Sequence, residues 1–193
     1  MLIRVGFEIS YGAVAETPMV IMMRIHPSRA RDIVGEETII TEPNVRIRYY
    51  HDSFGNICGR LTAPPGGITF RGDALVRDTG MPDAIVPEAQ QMPVEQLPDD
   101  VLLYLMPSRY CETDRLTDFA WVQFGNTPPG WARVQAINTW VHNHVRFDYQ
   151  QARPTKSAFD VFEEQQGVCR DFAHLALTLC RCMNIPARYV TGY

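Results

Sequence analysis

The sequence is poor in long apolar runs, in basic charge and in any glycine-rich loop, and each shortage excludes a class of function. The most apolar early run, Met19–Met23, falls far below the ~20 residues of a membrane-spanning helix. Residues 1–10 alternate polar and apolar side chains and have no continuous apolar segment of a secretory signal. A soluble, cytoplasmic protein is therefore expected, with no membrane partner. Basic residues number 18 against 22 acidic ones, a formal net charge of −4, and this argues against nucleic acid as a partner. No phosphate-cradling glycine loop, no carboxylate cluster with metal-ligand spacing and no internal repeat is visible, so no cofactor is implied.

Cysteine is present, but in a pattern that excludes a secreted disulfide framework. Cys58, Cys111, Cys169, Cys180 and Cys182 are odd in number and widely scattered. Zinc fares no better. Cys169 and Cys180 fall on one predicted helix, eleven residues and so roughly 16 Å apart, too far to share an ion. Cys180 and Cys182 point to different helix faces and read as small core hydrophobes.

The composition is that of an ordinary globular chain, 46% hydrophobic and 21% charged, and 193 residues bury a core without staples. The first part reads as β. Residues 2–10 and 18–25 are rich in β-branched and large apolar types, and residues 45–50 alternate strictly, with Val45, Ile47 and Tyr49 on one side and Arg46, Arg48 and Tyr50 on the other. Arg46 and Arg48 read as a solvated face. The turn signal at Asp52–Asn56 predicts a hairpin with a strand at 57–61, and Pro64–Gly67 marks another turn before strands at 68–71 and 74–76. Short strands punctuated by turns suggest an antiparallel sandwich. Pro82, Pro87, Pro93 and Pro98 mark residues 80–98 as a linker at the end of a β domain spanning 1–98.

From residue 99 to 193 the pattern turns helical. A short segment spans 101–105. Thr113 is placed as the cap of a helix closed by Gly125, and Thr127 with Pro128 as the start of the next, whose apolar face carries Val134, Ile137, Trp140 and Val141. Trp121, Trp131 and Trp140 read as core or interface anchors. Ser157 and Asp160 form a capping-box pattern for a third helix, closed by Gly167. The last helix runs from Cys169 to Met183, apolar on most sides, with Asn184 suited to a left-handed cap and Pro186 forbidding continuation. Residues 187–193 read as a strand.

Cys169 begins that last helix. Unpaired N–H groups and the helix dipole favour a thiolate there, Arg170 adds a positive charge, and the same N–H groups suit an oxyanion formed during acyl transfer. A purely structural cysteine is the competing reading from these residues alone. The histidines offer no obvious base. His174 lies five residues on, roughly 140° around the helix from the thiol. His142 and His144 sit at a helix end, where an imidazolium complements the dipole. His26 and His51 fall in the β part, and Asp171 is expected to bond backbone or a nearby base.

Residues 167–193, GVCRDFAHLALTLCRCMNIPARYVTGY, resemble the nucleophile segment of the bacterial transglutaminase-like superfamily. Ser108–Asp114 (SRYCETD) and the segment from Thr155 to Ala158 resemble the same family, and the region around Asp52–Asn56 is similar to the β domain that precedes the core in one bacterial, cysteine-protease branch. The resemblance implies an α+β protein: an N-terminal antiparallel β-sandwich-like domain followed by the helical half of a papain-like core. It implies a Cys-His-Asp triad in which Cys169 attacks a carboxamide or peptide carbonyl, and a thioester then passes to water or to an amine. Hydrolysis of peptide or amide bonds is favoured over crosslinking, with a peptide or protein as substrate. The family's histidine and aspartate lie on strands beyond Tyr193, so the core is expected to be incomplete and this chain inactive by itself. The alternative is a catalytically inactive binding or scaffold module. A core cut after one strand leaves a sheet edge, from which homo-oligomers are expected.

Overall fold

The computed structural model describes residues 1–192 and separates into two compact units, one built on Met1–Asp83 and one spanning Ala84–Thr191. It is a mixed α+β chain, with antiparallel sheets preceding four helices. No helix among the described residues is long and apolar enough to cross a membrane.

The first unit holds two three-stranded antiparallel sheets. One has the order β1 (Leu2–Tyr11), β6 (Ile68–Arg77), β3 (Ile33–Glu42); the other β2 (Thr17–Ile21), β5 (Ile57–Ala63), β4 (Arg48–His51). Strand alternation decides what is inside. In β5, Leu61 and Ala63 are buried while Arg60 and Thr62 are exposed. Ile21, Leu61, Ala63, Ile68 and Phe70 form the core, with Val45, Ile47, Met19 and Phe7 packed against it. Each of the buried Ile, Leu and Phe side chains among them contributes about 1.5–3 kcal/mol. The β4–β5 hairpin forms around Asp52, whose Oδ1 accepts from Phe54 and Asn56 N–H at 2.9 Å and whose Oδ2 accepts from Asn56 Nδ2 at 2.9 Å. These bonds, the one from the Asn56 side chain foremost, hold that carboxyl below its ordinary pKa.

Several sequence expectations are corrected here. Residues 33–42 form a strand that periodicity leaves unassigned, because Gly35 (φ +80°) sits where the register jumps between Val34 and Thr38 and interrupts the alternation. The segments 68–71 and 74–76 are one continuous strand.

The second unit is helical: α1 (Thr113–Phe124), α2 (Trp131–His144), α3 (Ala158–Glu164) and α4 (Cys169–Cys182). Helix α4 packs against the other three, and its Leu175 and Leu179 share a buried cluster with Leu116, Ile137, Val141 and Val161. The proline-rich residues 84–98 belong to this unit. Gln91 donates from Nε2 to Met183 O at 2.9 Å and accepts from the buried Arg133 Nη1 at 3.0 Å.

Helix boundaries follow side-chain chemistry closely in some places and not in others. Ser157 caps α3 as expected, accepting from Asp160 N–H while the Asp160 carboxylate accepts from Ser157 N–H. Asn184 takes the left-handed position after α4 (φ +59°). Thr113 is the first helical residue of α1 rather than its cap, which is Glu112. Thr127 does not start α2; its hydroxyl bonds Phe124 O at 2.6 Å at the end of α1. The helix begins after Gly130 (φ +91°), where a Cβ would meet Ala89 O at 2.2 Å. Gln165 (φ +53°), not Gly167, ends α3. Residues 186–192 form no strand, since no other described strand pairs with them; instead Ala187 N–H donates to Tyr104 O at 3.1 Å and the Arg188 guanidinium lies over the Tyr104 ring. Tyr193 lies outside the described residues.

Candidate active site

Cys169 is the one exposed cysteine of the five and the first residue of α4. The turn before it is built by charge and hydrogen bonds rather than by a capping hydroxyl. Asp171, at the third helical position and fully buried, accepts from Val168 N–H at 3.0 Å. Arg170 closes over the same carboxylate from Nε and Nη2, at 3.0 and 2.8 Å, and its Nη2 also donates to Arg153 O at 2.8 Å. Gly167 is required for this packing, since a Cβ there would lie 2.7 Å from both Cβ and Oδ2 of Asp171. Asp171 therefore does what its position suggested, bonding backbone and a neighbouring base.

A second layer of charge holds the chain leading to the thiol. Arg153 pairs with Glu164 at 2.6 Å and with Asp160 at 3.4 Å, and the fully buried Lys156 donates to Gln166 O and pairs with Glu164, both at 2.9 Å. The hydrogen bond from Arg153 is the main reason the Glu164 carboxyl is pulled down to about 2.

At the head of α4 the N–H groups of Asp171 and Phe172 turn back onto Val168 O. Those of Cys169 and Arg170 make no backbone bond among the described residues, leaving two donors beside the thiol of the kind an oxyanion needs.

Cys169 opens into a cleft of about 460 Å³ whose other lining residues are His142, Val145, Phe147 and Phe172. Two very short strands create it. β7 (Arg146–Phe147), directly after α2, pairs in parallel with β8 (Gln166–Gly167), directly before Cys169. That ladder brings the end of α2 to the start of α4. From sequence, His142 reads as a dipole partner at the end of α2; the fold carries it to the cleft onto which Cys169 opens. No local signal marks this, because the pairing joins segments twenty residues apart.

The other histidines lie away from the cleft lining. His26 caps the turn at Pro27–Asp32, accepting from Ser28 N–H at 3.2 Å, and His51 ends β4. His144 stacks on Trp140 at 4.1 Å, with Nε2 2.9 Å from Phe162 O. His174 is buried, stacked on Tyr110 at 5.5 Å with Tyr189 edge-on at 5.1 Å, and burial lowers its pKa. Trp140 packs against the core, whereas Trp121 is exposed.

The remaining cysteines are structural in their surroundings. Cys111 Sγ lies 3.9 Å from His174 O, Cys182 Sγ 3.5 Å from Thr113 O, and burial pushes the Cys180 thiol up to about 11. Among the described residues no group of three or more His, Cys, Asp or Glu is placed to hold a metal ion. The segment Ser108–Asp114 docks the head of α3, where Tyr110 O accepts from Ala158 N–H at 2.9 Å and Glu112 Oε2 from Phe159 N–H at 3.3 Å.

Comparison with known proteins bears on residues around this cleft. Residues 119–193 match the model of the transglutaminase-like superfamily. An uncharacterized protein of Mycobacterium leprae is 27% identical over 194 residues, which cover 95% of this chain and 68% of the relative. One of Mycobacterium tuberculosis is 23% identical over 159 residues, covering 80% and 45%. The crystal structure of a proposed cysteine protease from Cytophaga hutchinsonii superposes with a TM-score of 0.78 at 28% identity, covering 96% of this chain and 67% of that one. The chain thus spans about two thirds of the length of the first of these curated relatives and under half of the other.

Proposed function

Residues 119–193 of this chain belong to the transglutaminase-like superfamily, and on that premise we propose that the chain carries the nucleophile of a thiol-dependent acyl-transfer enzyme acting on peptide or amide bonds. The observation that carries the reading is the placement of Cys169: exposed, at the first position of α4, facing a cleft, while every other cysteine is buried. In the proposed reaction the Cys169 sulfur attacks the carbonyl carbon of a substrate amide. Charge developing on the carbonyl oxygen is met by the N–H groups of Cys169 and Arg170. The C–N bond breaks as the nitrogen is protonated, an amine leaves and a thioester remains on Sγ. Water then releases the acid and regenerates the thiol. The histidine and aspartate that would move these protons are proposed to follow Tyr193.

Hydrolysis rather than transfer to an amine is favoured by the likeness to the proposed cysteine protease, and the substrate is proposed to be a peptide or protein. The test uses the full-length gene product, a panel of peptide amides, and hydroxylamine to trap any thioester as a hydroxamate. Cys169→Ala should abolish both amine release and hydroxamate, a loss of roughly 10⁴-fold or more by comparison with other nucleophile knockouts. Activity that survives Cys169→Ala, or a wild-type protein that forms no hydroxamate with any of the panel, would sink the proposal and leave the core a non-catalytic binding module.

A further inference from the structure

The outward face of the second β sheet carries charge that the rest of its unit does not neutralise. Arg48 on β4 stands directly opposite Arg60 on β5, and Arg60 directly opposite Val20 on β2. Alternation places Arg46 on the same side as Arg48, because Val45 and Ile47 pack into the core on the other. All three arginines are exposed and line one open cleft of about 520 Å³, whose other lining residues include Pro18, Val20 and Thr62.

The contrast with the neighbouring arginines is informative. Arg4, Arg24, Arg29 and Arg71 each hold a carboxylate at 2.6–2.7 Å, using Asp73, Glu37, Asp32 and Glu42. Among the described residues, Arg46, Arg48 and Arg60 form no ion pair and donate no side-chain hydrogen bond. Asp52, the only carboxylate in 48–63, is spent on its own turn. Like charges directly across a strand pair are destabilising, and in a chain of net charge −4 three such charges converge on one concavity.

We infer that the Arg46–Arg48–Arg60 cleft is a binding site for an extended acidic peptide, distinct from the thiol cleft and independent of any reaction there. The spacing is what selects a peptide over a compact anion. Arg46 and Arg48 are two residues apart on extended backbone, roughly 6.6 Å, and Arg60 faces Arg48 at about 5 Å. Carboxylates on alternate residues of an extended chain repeat at the same ~6.6 Å. A single phosphate reaches one or two of the guanidinium groups, whereas a strand laid along Arg46 and Arg48 with Glu or Asp at every second position sets one carboxylate against Arg46 and the next against Arg48 with Arg60 beside it. Pro18 and Val20 offer apolar contact to its backbone and intervening side chains.

The experiment is fluorescence anisotropy on the intact chain with a labelled Glu-Ser-Glu-Ser-Glu peptide, its Lys-for-Glu counterpart, and inorganic phosphate and tripolyphosphate as competitors. The acidic peptide should bind, the basic one should not, and about 0.5 M salt should weaken the complex strongly. Arg48→Gln and Arg60→Gln should each weaken binding about fivefold, and the double variant by the product. Arg4→Gln, whose partner lies elsewhere, and Cys169→Ala should bind like the wild type, which separates this site from the proposed catalytic one. Gln variants keep side-chain length on an exposed face, and circular dichroism checks that they fold. The inference fails if the double variant binds the peptide unchanged, if the acidic peptide does not bind at low salt, or if tripolyphosphate binds at these arginines and the peptide does not.

Discussion

A thiol reacts according to its access to solvent and its ease of ionisation, and access alone already separates the five cysteines of this chain. Cys169 is exposed; Cys58, Cys111, Cys180 and Cys182 are buried. Burial raises the Cys180 and Cys182 thiols, the former to about 11. The thiolate is the species that alkylates, so at pH 7–9 Cys180 stays protonated as well as enclosed. Brief treatment of the folded chain with iodoacetamide should therefore label Cys169 well before any other cysteine, as read by peptide mass spectrometry. Comparable early labelling of Cys180 or Cys182 would mean that α4 is not packed as described. The reading of Cys180 and Cys182 as small core residues needed only their place on an apolar helix. The neighbours of Cys169 needed the fold.

At the level of elements, the approach to α4 is held by ion pairs whose strength depends on pH. The Glu164 carboxyl ordinarily titrates near 4.5 and is lowered to about 2, chiefly by the hydrogen bond from Arg153. Its folded pKa is depressed, so the stabilisation is fully present above 4.5 and is lost as pH falls from there towards 2. Glu164 is about one-third exposed, and solvent screening keeps the effect modest. In thermal melts between pH 6 and pH 2, Glu164→Gln should start less stable than the wild type and lose less on acidification, the two curves converging near pH 2. Parallel curves would show that the pair does not hold this turn. The helices it connects were legible in the sequence to within a residue or two where a capping group decides the boundary, as at Ser157 and Asn184. They were misplaced where a tertiary contact decides it, as at Gly130 beneath Ala89. Strands β7 and β8, two residues each, carry no periodicity at all, and residues 186–192 show that strand propensity without a partner strand yields none.

Taken as a whole, the molecule contains one lysine, Lys156. It is fully buried, with its ammonium committed to Gln166 O and Glu164. Crosslinking of copies through lysine would need an exposed ε-amine, and the described residues offer none. Concentrated full-length protein incubated alone should yield no isopeptide at Lys156 by mass spectrometry. Finding one would show that the 153–167 segment opens in solution.

The sequence by itself determined the order of β elements before helical ones, the α4 helix with a cysteine at its head, and the alternation that sets Arg46 and Arg48 outward. These depend on propensities and capping within a turn or two of chain. Only the tertiary structure decided that His142, Phe147 and Phe172 meet Cys169 in one cleft, and that Arg60 stands against Arg48. Both follow from backbone ladders, β7 with β8 and β4 with β5, whose register fixes which distant side chains share a face. A register relates two segments to one another, so it leaves no mark on either one alone.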